Sequence, residues 1–297
     1  MANCILIADS GSTKTDWILT TAEYGILEVQ TMGINPVRDN QDAIFGIVKN
    51  ELMPKLPVEH SVSAIHFYGA GCIVPYKESV EETLSLFFPT ATIAVESDLL
   101  GAARALCGHE AGIACILGTG SNSCLYDGKE IVSNTPPLGY ILGDEGGGAV
   151  LGKTLVSNIL KRIFCQELQD SFFKRFSLTP ANIINKVYRE PMPNRFLASV
   201  VPFLAEHRNN PEIHQMLTSA FRQFFIRNVK VYQHPEIEIG FVGSIAYYFQ
   251  EELNEAAQEE GLKIGKIVHH PAREIAFFHQ NDLILAQKCK KTAKYVI

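Results

Sequence analysis

The sequence predicts an α/β fold of two successive lobes, each built on a mixed sheet. Three observations predict it. Short apolar runs of strand length alternate with segments whose apolar residues recur at helical spacing. Over the first 110 residues the order is strand, strand, strand, helix, strand, helix, strand, helix, which is an antiparallel start followed by parallel crossovers. The opening pattern of strand, Gly/Ser/Thr loop and strand then begins again, which suggests an internal repeat. The expected lobes are residues 1–110 and 111–297, with no linker or low-complexity stretch between them.

In the first lobe, Cys4 to Ala8 is an apolar run ended by the polar turn Asp9-Ser10-Gly11-Ser12-Thr13-Lys14-Thr15 and followed by Trp17, Ile18 and Leu19. This reads as a hairpin. Ile26 to Met32 is a third strand after the Tyr24-Gly25 turn. Asp42 to Leu52 carries Ala43, Ile44, Ile47, Val48 and Leu52 at helical spacing. Ala64 to Tyr68 and Thr92 to Val95 are strands, each followed by a helix, Lys77 to Phe88 and Leu99 to Cys107. The second lobe restarts with strands Ile113 to Leu117 and Ser123 to Tyr126 around Gly118-Thr119-Gly120-Ser121-Asn122, then Glu130 to Ser133. Helices follow at Ala149 to Phe164, Ser171 to Phe176, Pro180 to Tyr188, Arg195 to Glu206 and Glu212 to Gln233, so residues of about 155–235 form a helical insertion. Ile213, Met216, Leu217, Ala220 and Phe224 give the last of these a core-facing stripe. Strand Ile237 to Val242, a helix through Leu253, strand Ile264 to His269 and helix Glu274 to Lys288 close the chain.

The 297 residues are 46% hydrophobic and 20% charged, a globular composition that speaks against disordered, collagen-like and disulfide-scaffold classes. The longest uncharged apolar stretch, Ile239 to Phe249, is well short of the roughly 20 residues that span a bilayer. With no basic leader at the amino end, a cytoplasmic protein without a membrane partner is expected. The net charge of −6 is uneven: residues 1–148 carry 7 basic and 18 acidic side chains, residues 149–297 carry 19 and 14. Only Lys288, Lys290 and Lys291 approach a basic cluster, so no nucleic-acid partner is expected. Seven scattered cysteines without a C-x-x-C pair fit free thiols better than disulfides or zinc.

Several segments could carry chemistry. The loop from Asp9 to Thr15 offers small residues and backbone N–H groups that can wrap phosphate oxygens; Lys14 adds charge, and Asp9 at a strand end could hold hydrated Mg²⁺. A single loop of this kind is most simply a polar turn. A second at Gly118 to Ser121, in the equivalent place of the repeated unit, favours two loops gripping a polyphosphate across a cleft. Asp98 opens a helix and could cap it, in competition with Ser97, or accept a proton from an attacking hydroxyl. Gly143-Asp144-Glu145-Gly146-Gly147-Gly148 sets two acids among four glycines before a helix, where backbone can approach a ligand and Asp144 can bond hydroxyls. Gly147, Gly152, Lys153 and Thr154 satisfy the P-loop expression, but no buried strand precedes them, so Gly152 to Thr154 is expected inside a helix. Gly243-Ser244-Ile245-Ala246 turns a strand into a helix, a weak signal alone.

Taken in order, these motifs resemble the acetate and sugar kinase, Hsp70 and actin superfamily, and within it the N-acetylglucosamine kinase and BadF/BadG ATPase group. Asp9 to Thr15 is similar to the first phosphate loop, Gly118 to Asn122 to the second, and Gly243 to Ala246 to the adenosine motif. Gly33-Ile34-Asn35-Pro36 and Gly143-Asp144-Glu145-Gly146 resemble sugar-contacting segments, and Glu96-Ser97-Asp98 the one that supplies the catalytic base. The resemblance implies two ribonuclease-H-like (actin-like ATPase) lobes around a nucleotide cleft, the last helix packing back on the first lobe, and phosphoryl transfer from ATP·Mg²⁺ to a sugar hydroxyl, O6. It assigns catalysis to Asp98; the sugar to Asn35, Asp98, Gly143 and Asp144; ATP to Gly11, Ser12, Thr13, Lys14, Gly118, Thr119, Gly120, Ser121, Gly243 and Ser244; and the metal to Asp9. Homodimers are common for such folds. Ser10 and Ser12 stand where glycines are common, the last helix lacks the usual Gly-Ala pair, and residues 155–235 carry no motif of the group. The competing readings are a BadF-type ATPase that activates a partner enzyme, a non-catalytic sugar sensor, and a P-loop enzyme.

Overall fold

A computed structural model describes residues 4–11, 13–21, 27–57 and 62–293. The chain divides into two compact units, Met1–Glu110 with His270–Ile297, and Ala111–His269. The first contains β1 (Cys4–Ser10), β2 (Lys14–Thr21), β3 (Leu27–Met32), α1 (Gln41–Ile47), β4 (Val62–Gly69), α2 (Lys77–Phe87), β5 (Thr92–Ser97), α3 (Asp98–Cys107) and the terminal helix Ala272–Ala293. Its sheet runs β3-β2-β1-β4-β5. The β1–β2 and β2–β3 pairs are antiparallel, and β1–β4 and β4–β5 are parallel. That is the ribonuclease-H-like order, reached because two tight connections allow antiparallel neighbours while helical crossovers return the chain parallel.

Side-chain alternation divides the sheet between two cores. Cys4, Leu6 and Ala8 join Trp17, Phe67 and Val95 under Ile44, Val48, Val80 and Leu84. Ile5 and Ile7 point the other way, with Ile18 and Tyr68, and are covered by Ala272, Ile275 and Ala276. Residues 270–297, expected within the 111–297 lobe with the last helix packing back on the first, group with the first unit: the apolar face of β1 needs a cover, and Ala272 and Ala276, one turn apart, let the helix approach closely.

The second unit repeats the order. It has β6 (Gly112–Leu117), β7 (Ser121–Tyr126), β8 (Ile131–Thr135), α4 (Gly139–Leu142), α5 (Gly148–Leu160), α6 (Gln166–Phe176), α7 (Pro180–Tyr188), α8 (Pro193–Ser199), α9 (Pro202–Glu206), α10 (Pro211–Phe224), β9 (Ile239–Val242), α11 (Ser244–Tyr248), α12 (Gln250–Glu259) and β10 (Ile264–Val268). Its sheet, β10-β9-β6-β7-β8, reproduces the first strand for strand. The core joins Cys115, Leu117 and Phe241 of the sheet to Phe172, Phe203, Leu217, Phe221, Phe224 and Phe225 of the inserted helices. Each such ring contributes about 1.5–3 kcal/mol on burial. The expected helix 195–206 is divided before Pro202, whose missing N–H suits a first helical position. The expected helix 212–233 is α-helical only to Phe224, then widens to a π-turn at Phe225–Val229 and tightens at Lys230–Tyr232. No helix of the described residues is long and apolar enough to cross a membrane.

Candidate functional site

In the first unit the parallel strands end in line. Ser10 is paired with Gly69, and Gly69 with Ser97, so Asp9 and Asp98 lie at the carboxyl ends of β1 and β5 on one edge of the sheet. Such edges are where open α/β sheets take ligands. Ser97, not Asp98, caps α3: its side chain accepts from Leu100 N at 3.2 Å. Asp98 thus occupies the first helical position, its carboxylate accepting from its own N–H and that of Leu99. Partial burial nevertheless pushes its pKa up to about 6. Asp9 is pushed up to about 7, first by burial, then by the charges of Asp98 and Asp16, with Lys14 opposing.

The hairpin is narrower than expected because Asp9, Ser10 and Thr15 belong to the paired β1 and β2 strands and Lys14 is already paired with Met32 of β3. Gly11 N donates to Lys14 O at 3.0 Å, and Thr13 O accepts from Gly33 N at 3.1 Å. Ser12 lies outside the described residues. Lys14 pairs with Asp16 at 2.8 Å and has His270 Nδ1 at 3.5 Å, so its charge is already partnered. It faces a cavity of about 430 Å³ whose lining includes Glu28, His270 and Arg273.

Asn35 is held by a small network. Its backbone N donates to Asp39 Oδ2 at 2.9 Å, its Oδ1 accepts from Val37 N at 3.1 Å, and Arg38 braces Asp39 at 2.7 Å. Ser10 Oγ ties this segment to the hairpin, donating to Ile34 O at 2.9 Å while accepting from Ile34 N at 3.0 Å. A serine in place of the expected glycine is therefore a brace for the Asn35 segment. Gly71, with φ +78°, closes the other side: a Cβ there would overlap Asn35 Oδ1.

In the second unit, Gly118 to Ser121 and Gly143 to Gly148 pack directly on each other. Gly148 N donates to Gly118 O and Ala149 N to Thr119 O, both at 2.8 Å. The Asp144 carboxylate accepts the backbone N–H of Ser121, while burial and Glu145 push its pKa up to about 6. Asp144 itself is left-handed at φ +53°. A Cβ at Gly120 would stand 2.7 Å from Asp144 Oδ2, and one at Gly147 would stand 2.7 Å from the Gly120 carbonyl carbon. The glycines are needed for this loop-on-loop contact. Gly143 likewise lies tight against the Pro137 carbonyl. Ser121 Oγ is buried and has no hydrogen-bond partner. Gly243, at φ +112°, packs against the Leu117 carbonyl beside Gly118, and Ser244 opens α11. The chain is helical from Gly148, so Gly147 to Thr154 has no loop in which to hold a phosphate, and Lys153 Nζ donates to Tyr140 O at 2.8 Å.

Asp39 and Gly71 lie outside every motif, and Ser10 and Glu145 lie inside motifs that assign them no role. The departure from glycine at Ser10 was a signal; the others act through contacts that sequence spacing does not reveal.

No protein-family model matches the chain, and no curated protein matches it. Among solved structures, an N-acetylglucosamine kinase, so assigned, from Porphyromonas gingivalis is 43% identical over 93% of this chain and 99% of its own, with a TM-score of 0.91. A Chromobacterium violaceum structure with the same description is 18% identical over 93% and 99%, at TM-score 0.75. MreB 5 of Spiroplasma citri shares the fold at 10% identity over the whole of both chains, with a TM-score of 0.56. The fold and the first of these relatives define the class, a sugar kinase built on the actin-like ATPase fold. Within that class, the chain belongs to the N-acetylglucosamine kinase family.

Proposed function

We propose that the protein transfers the γ-phosphoryl group of Mg²⁺·ATP to a hydroxyl, O6, of N-acetylglucosamine or a closely related amino sugar. The observation that carries this reading is Asp98: a partly buried carboxylate at the carboxyl edge of the sheet, on a helix that another residue caps. With a pKa near 6 it is ionised at neutral pH yet basic enough to take the acceptor hydroxyl's proton. Asn35 and Asp144, with Gly143, hold sugar hydroxyls. The 43%-identical Porphyromonas gingivalis protein carries the name of that substrate.

Magnesium-bound ATP supplies the phosphoryl group and the neutralising charge; the protein's part is positioning. The donor set fits. Asp9 is crowded by two further carboxylates, a concentration of negative charge that a divalent cation relieves. The backbone of Gly11, Ser12 and Thr13, with Lys14, and of Gly118, Thr119 and Gly120 serves the phosphates. The unpartnered buried hydroxyl of Ser121 fits a phosphate-loop donor. Gly243 and Ser244 border adenosine. MreB 5, with the same fold, is bound to AMPPNP.

The test is ADP release from Mg²⁺·ATP with and without a panel of amino sugars. Sugar-dependent release, strongest with N-acetylglucosamine, is expected. ATP hydrolysis indifferent to every sugar would overturn the reading and point to an ATPase that serves a protein partner.

A further inference from the structure

The inserted helices carry no motif, yet one of their turns grips the glycine-rich loop. The Glu145 carboxylate accepts from Arg227 Nη1 at 2.7 Å and from Asn228 Nδ2 at 3.1 Å, both on the π-turn that follows α10. Asn228 is 4% exposed. Its backbone carbonyl accepts from Ser123 Oγ at 2.7 Å and Thr135 Oγ1 at 3.3 Å. The turn is thereby fastened to β7 and β8, and the side-chain amide is aimed at Glu145. Gly146 lies flat on the end of α10, where a Cβ would stand 3.3 Å from Phe224 Cβ.

Asp144 sits between two anchors: its own carboxylate on the Ser121 N–H, and its neighbour Glu145 on the π-turn. It needs them. A left-handed aspartate persists only where its surroundings over-determine it. The widening of α10 into a π-turn, a feature common at functional sites, is what brings Arg227 and Asn228 to Glu145.

We propose that Glu145 is a positioning residue, latched by Asn228 and Arg227, which sets Asp144 for the acceptor, so that the helical insertion contributes to sugar affinity through this contact. The inference rests on the assignment of Asp144 to the sugar. It predicts an effect on acceptor binding with little change toward ATP.

The experiment uses the full-length protein and three variants: Asn228→Asp, which sets two carboxylates against each other; the double variant Glu145→Gln/Asn228→Asp, which restores the hydrogen bond with donor and acceptor exchanged; and the exposed Arg227→Ala, which is expected to fold normally. Sugar KM, ATP KM, kcat and hydrogen exchange of the 144–148 amides are measured for each. Asn228→Asp is expected to raise sugar KM roughly tenfold, leave ATP KM within about twofold and accelerate exchange. The double variant reverses both effects, and Arg227→Ala moves both in the same direction by less. Unchanged sugar KM and exchange in Asn228→Asp and Arg227→Ala, or a double variant no better than the single, would overturn the latch. If the parent protein shows no sugar-dependent turnover, the kinase reading fails by itself, and the exchange series decides whether the latch exists.

Discussion

Gly71 leaves the space that Asn35 occupies: with φ +78° and a Cβ that would stand 3.0 Å from Asn35 Cγ, the position admits no side chain while Asn35 stays in place. Substituting Gly71→Ala should therefore push Asn35 out of register. The expected outcome is a rise in sugar KM of roughly tenfold or more with ATP KM little changed. The positive φ adds a stability loss of about 1 kcal/mol, readable by denaturant titration. Equal losses toward sugar and ATP would show that Asn35 is not specific to the acceptor.

Asp98→Asn keeps the shape of the side chain and removes its basicity. Turnover should fall by about 10²–10⁴. Calorimetric binding of sugar and of a non-hydrolysable ATP analogue should survive, because Ser97 continues to cap α3. Turnover within a few-fold of the parent would remove Asp98 from the chemistry.

Lys153→Ala distinguishes the family's loops from the P-loop expression that this sequence happens to satisfy. Its Nζ is bonded to the Tyr140 carbonyl from within α5. ATP affinity should stay within about twofold of the parent, the loss being one largely exposed hydrogen bond. Abolished nucleotide binding would restore the P-loop reading.

His66 and His279 stack with ring centroids 3.6 Å apart, and His279 Nε2 lies 2.7 Å from Tyr68 Oη. Burial and the Arg104 charge push His66 down to about 4, with Asp282 opposing; burial, His66 and Arg104 push His279 down to about 3. Both rings are neutral in the folded protein, while their unfolded counterparts take up protons near pH 6.5. Their contribution to stability is complete above that pH and is lost as pH falls through 4 toward 3. Asp9, Asp98 and Asp144, whose pKa values are raised, act in the opposite sense, so the comparison must be differential. The stability difference between the parent and His279→Gln, followed by thermal melting from pH 7.5 to 4, should narrow as pH falls. A difference independent of pH would show that the pair does not titrate this way.

By itself the sequence determined the order of the strands, the restart of that order near residue 111, and where the Gly/Ser/Thr turns fall, because apolar period and turn composition are local properties. It also placed Gly152 to Thr154 in a helix. Local pattern left open whether Ser97 or Asp98 caps α3, since adjacent residues compete for the same amides and only the backbone geometry chooses. The terminal helix went to the first unit because the Ile5 and Ile7 face of β1 had to be covered, a demand set by residues more than 260 positions earlier. Tertiary structure alone decided that Ser10 ties down Ile34 beside Asn35, that Gly71 makes room for Asn35, and that Asn228 holds Glu145. Each of these joins residues far apart in the chain, and hydrogen bonds and close packing select such partners only after the sheets have formed.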